Sequence, residues 1–121
     1  MATDLNAIFN ALRPLYQAHE ERCVVVADEP GRYFLGTHEV RRKDGYRTGF
    51  GGTEIKKAYV SAHLMPVYVH PDMLAAISPA LRKRMQGKSC FNFKVMDPPL
   101  FAELGALIAA GIARFDADGR L

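Results

Sequence analysis

The segment from Ser78 to Lys94 constrains the fold most, because it sets a helix start, a glycine stop and a short aromatic strand in succession. A serine followed by Pro79 is typical of a helix start, since the hydroxyl caps free backbone N–H groups and proline is tolerated at the first helical position. Gly87 is typical of a helix end, where glycine adopts a positive φ at little cost. The pattern therefore predicts a helix that runs from Pro79 to Gln86.

The residues that follow predict a strand with two different faces. Successive side chains of a strand point to opposite sides, so Phe91, Phe93 and Val95 should share one face and Cys90, Asn92 and Lys94 the other. Asp97-Pro98 then predicts a capped final helix whose apolar stripe covers the phenylalanine face.

The remaining chain predicts one long helix, four strands and a short helical stretch that begins at Pro71 and Asp72, all ahead of this segment. Apolar residues from Leu5 to Tyr16 recur at helical spacing, although Pro14 should kink or restart the helix. The first two strands are predicted at 23–27 and 32–37, and a third ends near residue 56. A long fourth strand is predicted at 58–69, with a bend at Pro66. The expected fold is a two-layer α+β domain, with an antiparallel sheet of about five strands and helices packed on one face.

Length and composition predict one domain over residues 1–121. The chain is 49% hydrophobic, which is ordinary for a globular protein, and contains no apolar run long enough to span a bilayer. The first residues do not resemble a secretion signal, so no membrane association and a cytoplasmic location are expected. Cys23 and Cys90 are expected to be reduced, buried packing residues.

One polar face is the candidate site. Three side chains of the predicted strand at 58–69 should share a face, and the polar face of the Cys90 strand could lie beside it. The candidate ligand-binding residues are Tyr59, Ser61, His63, Cys90, Asn92 and Lys94. They suit a small polar or anionic ligand or a protein partner, including a second copy of this chain. The alternative is a face covered only by solvent or by such a copy.

No catalytic or metal-binding pattern is evident. A nucleophilic pair of Cys90 and His63 would lack a recognisable orienting acid and an oxyanion-hole motif, so no catalytic residue is assigned. The four histidines have no metal-ligand spacing, and neither cysteine belongs to a C-x-x-C pair. A non-catalytic binding domain is therefore favoured over an enzyme, and no metal or cofactor is assigned.

Positive charge is concentrated in the middle of the chain. Residues 38–94 contain eleven basic and four acidic residues, a net charge of +7. Weak nucleic-acid binding is the second hypothesis, and a merely solvated surface is the alternative. Its candidate residues are Arg41, Arg42, Lys43, Lys56, Lys57, Arg82, Lys83, Arg84 and Lys88.

The runs Tyr59–Tyr68 (YVSAHLMPVY) and Gly87–Phe93 (GKSCFNF), together with this layout, resemble the YdhG-like family of small bacterial domains. That family is similar in fold to frataxin and to YjbR-type proteins, and the likeness covers roughly residues 5–115. The resemblance implies a frataxin-like fold. It also implies iron binding or delivery, a role ascribed to some members, or DNA binding, which is suggested for YjbR-type relatives. Frataxin-like iron binding uses acidic residues of the first helix and the strand after it, where this chain has Asp4, Glu20, Glu21, Asp28 and Glu29.

Overall fold

A computed structural model describes residues 4–121, which form four α-helices and six β-strands. The helices are α1 (Leu5–Gln17), α2 (Met65–Val69), α3 (Pro79–Arg82) and α4 (Pro98–Ala117). The strands are β1 (Val24–Glu29), β2 (Arg32–Val40), β3 (Arg47–Ile55), β4 (Val60–Leu64), β5 (Met85–Gln86) and β6 (Cys90–Phe93). Short 3₁₀ turns occupy Glu20–Arg22 and Pro71–Ala76.

The six strands form one antiparallel sheet in the order β1-β2-β3-β4-β6-β5. Helices α1 and α4 contact each other, and α1 packs on strands β3 and β4. The predicted two-layer α+β class is therefore confirmed. The connection between β4 and β6 contains α2, α3 and the two-residue edge strand β5. Strand β6 then pairs with β4.

The core lies between the sheet and the helical layer. Phe91 and Phe93 are buried, and the Phe93 ring meets the ring of Phe101 from α4 edge-on, with centroids 4.9 Å apart. Phe50 of β3 packs against Phe115 in a similar way at 6.0 Å. The prediction that the final helix covers the phenylalanine face of β6 is confirmed for Phe91 and Phe93, but Val95 lies beyond the strand and is 55% exposed, so its placement on that face was wrong.

Both predicted helix caps form, but one helix ends early. The Asp97 carboxylate accepts the N–H of Leu100, and the Ser78 hydroxyl accepts the N–H of Leu81. Helix α3 nevertheless ends at Arg82 instead of reaching Gln86, so the longer helix was wrong. Strand pairing replaces the missing helical bonds, because Met85 and Gln86 pair with β6.

Proline acts differently from the prediction at two positions. Strand β4 stops at Leu64, and Met65–Val69 forms helix α2, so a strand over 58–69 was wrong. Pro66 lies in the first turn of α2, where a missing N–H costs no helical bond. Helix α1 also continues through Pro14, with its buried stripe against the sheet, so the predicted restart was wrong.

Among residues 4–121, no helix is both long enough and apolar enough to cross a lipid bilayer.

Candidate ligand site on the open sheet face

The sheet has a second face, opposite α1 and α4, which we call the open face. Ser61 of β4 pairs with Asn92 of β6, and His63 pairs with Cys90 in the next step of the same register. The side chains of directly opposed residues point to the same side of a sheet. Four of the six predicted ligand-binding residues therefore lie together.

Tyr59 and Lys94 lie just beyond the ends of these strands rather than within them. Both line an open recess of about 570 Å³ between the end of β6 and the edge strand β5. We call it the basic recess, and its lining residues are Ala58, Tyr59, Lys83, Arg84, Met85, Gln86, Asn92 and Lys94. The predicted site thus has two adjoining parts, which meet at Asn92.

The basic recess combines unpaired positive charge with an unpaired acceptor. None of Lys83, Arg84 and Lys94 forms an ion pair with a carboxylate of residues 4–121. The amide oxygen of Asn92 is buried, and no donor within that range reaches it. A buried acceptor without a donor is uncommon in folded proteins. The recess therefore suits a ligand with negative charge, and a hydrogen-bond donor on that ligand can pair with the Asn92 oxygen once the side chain turns toward the recess.

The other part of the site is a contact between a thiol and an imidazole. The Sγ atom of Cys90 lies 2.9 Å from Nδ1 of His63, and Nε2 of the same ring lies 3.2 Å from the Ser61 hydroxyl. Ser61 is only 3% exposed, whereas His63 and Cys90 are partly exposed. Both ring nitrogens therefore have partners on the same sheet face.

A glycine allows an aromatic ring to reach this imidazole. Gly52 lies between Phe34 and His63 in the strand register, so the two side chains flank a position without a side chain. A Cβ at Gly52 would lie 2.6 Å from Cδ1 of Phe34. The ring centroids of Phe34 and His63 are 5.5 Å apart, and the Arg32 guanidinium lies 4.9 Å from the Phe34 centroid.

The charges around His63 favour its neutral form. Burial and the nearby Lys56 ammonium lower the pKa of His63, while the Glu54 carboxylate acts in the opposite direction. Glu54 itself pairs with Lys56 at 2.7 Å and with Arg32 at 3.3 Å. These pairs hold the pKa of the Glu54 carboxyl below its ordinary value. The imidazole can therefore accept a proton near neutral pH.

The nine candidate nucleic-acid residues do not form one surface. Arg41, Arg42 and Lys43 occupy the turn between β2 and β3, where Arg41 pairs with Asp44. Lys56 and Lys57 follow the opposite end of β3, about 26 Å away for a strand of this length. The positive charge is divided between the two ends of the sheet.

The other basic residues surround the edge strand β5. Lys83 and Arg84 belong to the basic recess. Arg82 and Lys88 line a separate recess of about 660 Å³, whose other lining residues are Val67, Tyr68, Pro71, Leu74, Met85 and Gly87.

The acidic residues named by the resemblance to frataxin are mostly engaged within the fold. Asp4 caps α1, Asp28 pairs with Arg13, and Glu20 accepts a hydrogen bond from the Tyr33 phenol. Within residues 4–121, no three histidine, cysteine, aspartate or glutamate side chains gather as a metal site requires.

The two cysteines have different surroundings. Cys23 is 8% exposed and belongs to the core, as predicted for a packing residue. Cys90 is partly exposed and contacts His63, so the same prediction was wrong for Cys90. The position of Cys90 on the polar face of β6 already indicated that its side chain points away from the core.

Sequence reasoning did not name Arg32 and Phe34, and it assigned Lys83 and Arg84 to nucleic-acid binding and not to the ligand site. Lys83 and Arg84 join Lys94 because β5 pairs with β6, and the predicted helix over the same residues hid that pairing. Arg32 and Phe34 alternate with the buried Tyr33 and Leu35, which indicated their face. Their proximity to His63 depends on the register of three strands, which alternation alone does not determine.

No protein-family model, curated protein or solved structure matches the chain. The resemblance to the YdhG-like family remains a prediction.

Proposed function

We propose that this protein binds a small anionic molecule in the basic recess. The ligand class is a phosphate ester or carboxylate that also carries a hydroxyl group. Lys94, Lys83 and Arg84 supply the charge, and the Asn92 side chain turns its buried amide oxygen toward the recess to accept the ligand hydroxyl. The observation that carries the proposal is the combination, in the same recess, of three cations and one buried acceptor that have no carboxylate partner and no donor, respectively, within residues 4–121.

In the described part of the chain, the charges of the recess lack the compensation found elsewhere in the fold. Side-chain carboxylates elsewhere neutralise many of the arginines, as Asp44 does for Arg41 and Asp72 for Arg114. Three cations that share one concave surface repel each other unless an anion joins them. An anion that binds there gains charge-assisted hydrogen bonds, and a ligand hydroxyl supplies the donor that the Asn92 oxygen lacks.

Calorimetric titration with glycerol 3-phosphate, inorganic phosphate and glycerol tests this proposal. We expect glycerol 3-phosphate to bind more tightly than phosphate, and glycerol alone to show no binding. Affinity should fall as salt is added, because the recess is open to solvent. Equal affinities for phosphate and glycerol 3-phosphate would show that Asn92 does not bind the ligand hydroxyl. If neither anion gives a heat of binding, the proposal is wrong.

A pair of lysine variants distinguishes binding in the basic recess from nonspecific attraction to the positive charge of the protein. Lys94→Ala should weaken glycerol 3-phosphate binding about tenfold, the usual scale for one hydrogen bond to a charged group. Lys43→Ala removes the same charge at the distant β2–β3 turn and should leave the affinity unchanged. Similar losses in both variants would indicate nonspecific attraction to a basic protein. Binding of nucleic acid, of a protein partner or of a second copy remains a prediction without a specific observation in its favour.

A further inference from the structure

The Cys90 thiol has surroundings that the proposed ligand recess does not explain. Cys23 shows the ordinary alternative: it is a core residue, and burial raises its pKa to about 11. Cys90 instead lies on the open face with Sγ 2.9 Å from a ring nitrogen of His63. A thiol and a base within hydrogen-bond distance form the arrangement that activates a cysteine nucleophile.

The His63 ring is oriented for proton transfer. In the neutral tautomer whose Nε2–H donates to the Ser61 hydroxyl, Nδ1 has a free lone pair directed at the Cys90 thiol. The Phe34 ring packs on the imidazole from β2, and Tyr16 holds the backbone of His63 from the opposite side of the sheet. The base is thus fixed in place by three neighbours.

A small apolar cavity lies beside this pair. Its volume is about 210 Å³, below the roughly 300 Å³ at which pockets for drug-sized ligands begin. The lining includes His63, Phe34, Met65 and Ser89, and the Ser89 hydroxyl is 4.0 Å from the Cys90 sulfur. Cys90 itself does not line the cavity, but His63 and Ser89, which both contact its sulfur, do, so a small organic group bound there lies against the residues that flank the thiol.

We propose that Cys90 is a peroxide-reactive thiol, which reduces small organic hydroperoxides with His63 as the proton acceptor and donor. The thiol proton passes to Nδ1 of His63, and the sulfur attacks the terminal oxygen of the hydroperoxide. The S–O bond forms as the O–O bond breaks, so the sulfur is oxidised to a sulfenic acid and the peroxide is reduced to an alcohol. The departing alkoxide takes the proton back from His63, which balances the step.

The oxidised cysteine has no partner thiol in this fold. Four strand spacings, about 19 Å, separate β1 next to Cys23 from β6, whereas a disulfide needs Cα atoms within roughly 7 Å. The sulfenic acid therefore persists until an external low-molecular-weight thiol reduces it. Cys90 is accordingly a modification site with one oxidation per chain.

Oxidation with tert-butyl hydroperoxide, followed by dimedone trapping and peptide mass spectrometry, tests the proposal. We expect the adduct on Cys90 and none on Cys23, which serves as an internal control in the same chain. The organic peroxide should react at least as fast as hydrogen peroxide, because the cavity is apolar. Equal labelling of the two cysteines, or a clear preference for hydrogen peroxide, would overturn the proposal.

His63→Gln should slow the oxidation of Cys90 about a hundredfold, the lower range for loss of a general acid–base group. His38→Gln, at an exposed position of β2, is the matched control and should react like the wild type. Thermal unfolding of both variants identifies any loss of folding. If folded His63→Gln reacts at the wild-type rate, the imidazole only packs beside the thiol and the proposal is wrong.

The pH dependence of the wild-type rate gives a test without any substitution. The groups that face His63 are Ser61, Cys90 of β6, Glu54 and Lys56 from the β3 side, and Arg32 across the cavity. Because neutral His63 accepts the thiol proton, the rate should stay nearly constant between about pH 6.5 and 8. The rate of an isolated thiol, with a pKa of about 8.5, would instead fall roughly tenfold for each unit by which the pH decreases over most of this range, because the thiolate fraction falls. A tenfold loss per unit would overturn the proposal.

Discussion

The Tyr16 phenol donates a hydrogen bond to the backbone carbonyl of His63 at 2.9 Å, from the helical side of the sheet. Tyr16 is fully buried, and burial raises the pKa of its phenol, so it remains a donor at any physiological pH. The bond joins helix α1 to the segment of β4 that presents the imidazole on the open face. The core and the candidate site therefore share one residue.

Replacement of Tyr16 by phenylalanine removes this bond and leaves the ring in place. We expect the free energy of unfolding to fall by about 1–2 kcal/mol, because a buried carbonyl loses a donor. Urea unfolding measures the change. Tyr68→Phe is the control, since Tyr68 is 54% exposed and should tolerate the loss of its hydroxyl. Equal stabilities of the two variants would show that the bond contributes nothing.

Gly52→Ala should damage both the sheet and the site. A Cβ at this position would lie 2.2 Å from the Tyr33 carbonyl oxygen and 2.6 Å from Cα of Phe34. Because backbone atoms cannot yield as a flexible side chain can, we expect a loss of about 3 kcal/mol. Gly49→Ala, in the same strand, has no atom within 4 Å of its added Cβ and should change stability by less than about 0.5 kcal/mol. Chemical denaturation of the two proteins checks the contrast, and similar stabilities would contradict the close approach.

Two fully buried threonines of the sheet should respond in opposite ways to valine. The Thr37 hydroxyl donates to the carbonyl of Thr48, whereas the Thr53 hydroxyl has no partner within residues 4–121. Thr53→Val removes an unpaired polar group and should stabilise the fold by about 1 kcal/mol. Thr37→Val should destabilise it by about the same amount. Differential scanning calorimetry measures both, and a destabilised Thr53→Val protein would mean that its hydroxyl has a partner in solution.

The lowered pKa of His63 predicts a loss of stability in mild acid. The unfolded chain binds a proton at a pKa of about 6.5, but burial disfavours that proton in the folded state. Protonation therefore favours unfolding, and stability should fall as the pH decreases from 6.5 towards the folded pKa. His19, whose pKa is lowered by burial and by Arg22, contributes with the same sign. Urea midpoints at pH 7 and 5 should differ less for His63→Gln than for the wild type; identical differences would contradict this assignment.

Local chemistry explains which elements were predictable. Asp97 and Ser78 cap helices because a side-chain oxygen next to free N–H groups has the same effect in any fold. Alternation placed Phe91 in the core and Cys90 on the opposite face for a similar reason, since neighbouring side chains of a strand must diverge. Both rules operate within a few residues.

Where a segment suited both a helix and a strand, its contacts with other elements determined which one formed. Residues 65–69 combine strand-forming valines with a proline that also suits a helix start. They became α2, which packs against Gly111 of α4, where a Cβ would lie only 2.9 Å from the Pro66 ring. Residues 85 and 86 left the predicted helix because β6 offered strand pairing. Gly111 lies 45 residues from Pro66 in the sequence, whereas β6 begins only four residues after Gln86, so the first contact is long-range and the second is a short hairpin.

The amino-acid sequence alone determined the α+β class, the helix caps and the face on which each side chain of β6 lies, because these properties depend on neighbouring residues. Only the tertiary structure placed Cys90 beside His63, Phe34 over Gly52, and Lys83 next to Lys94. These placements depend on strand order and register, which are set by pairing between segments and, for Cys90 and His63, between residues 27 positions apart.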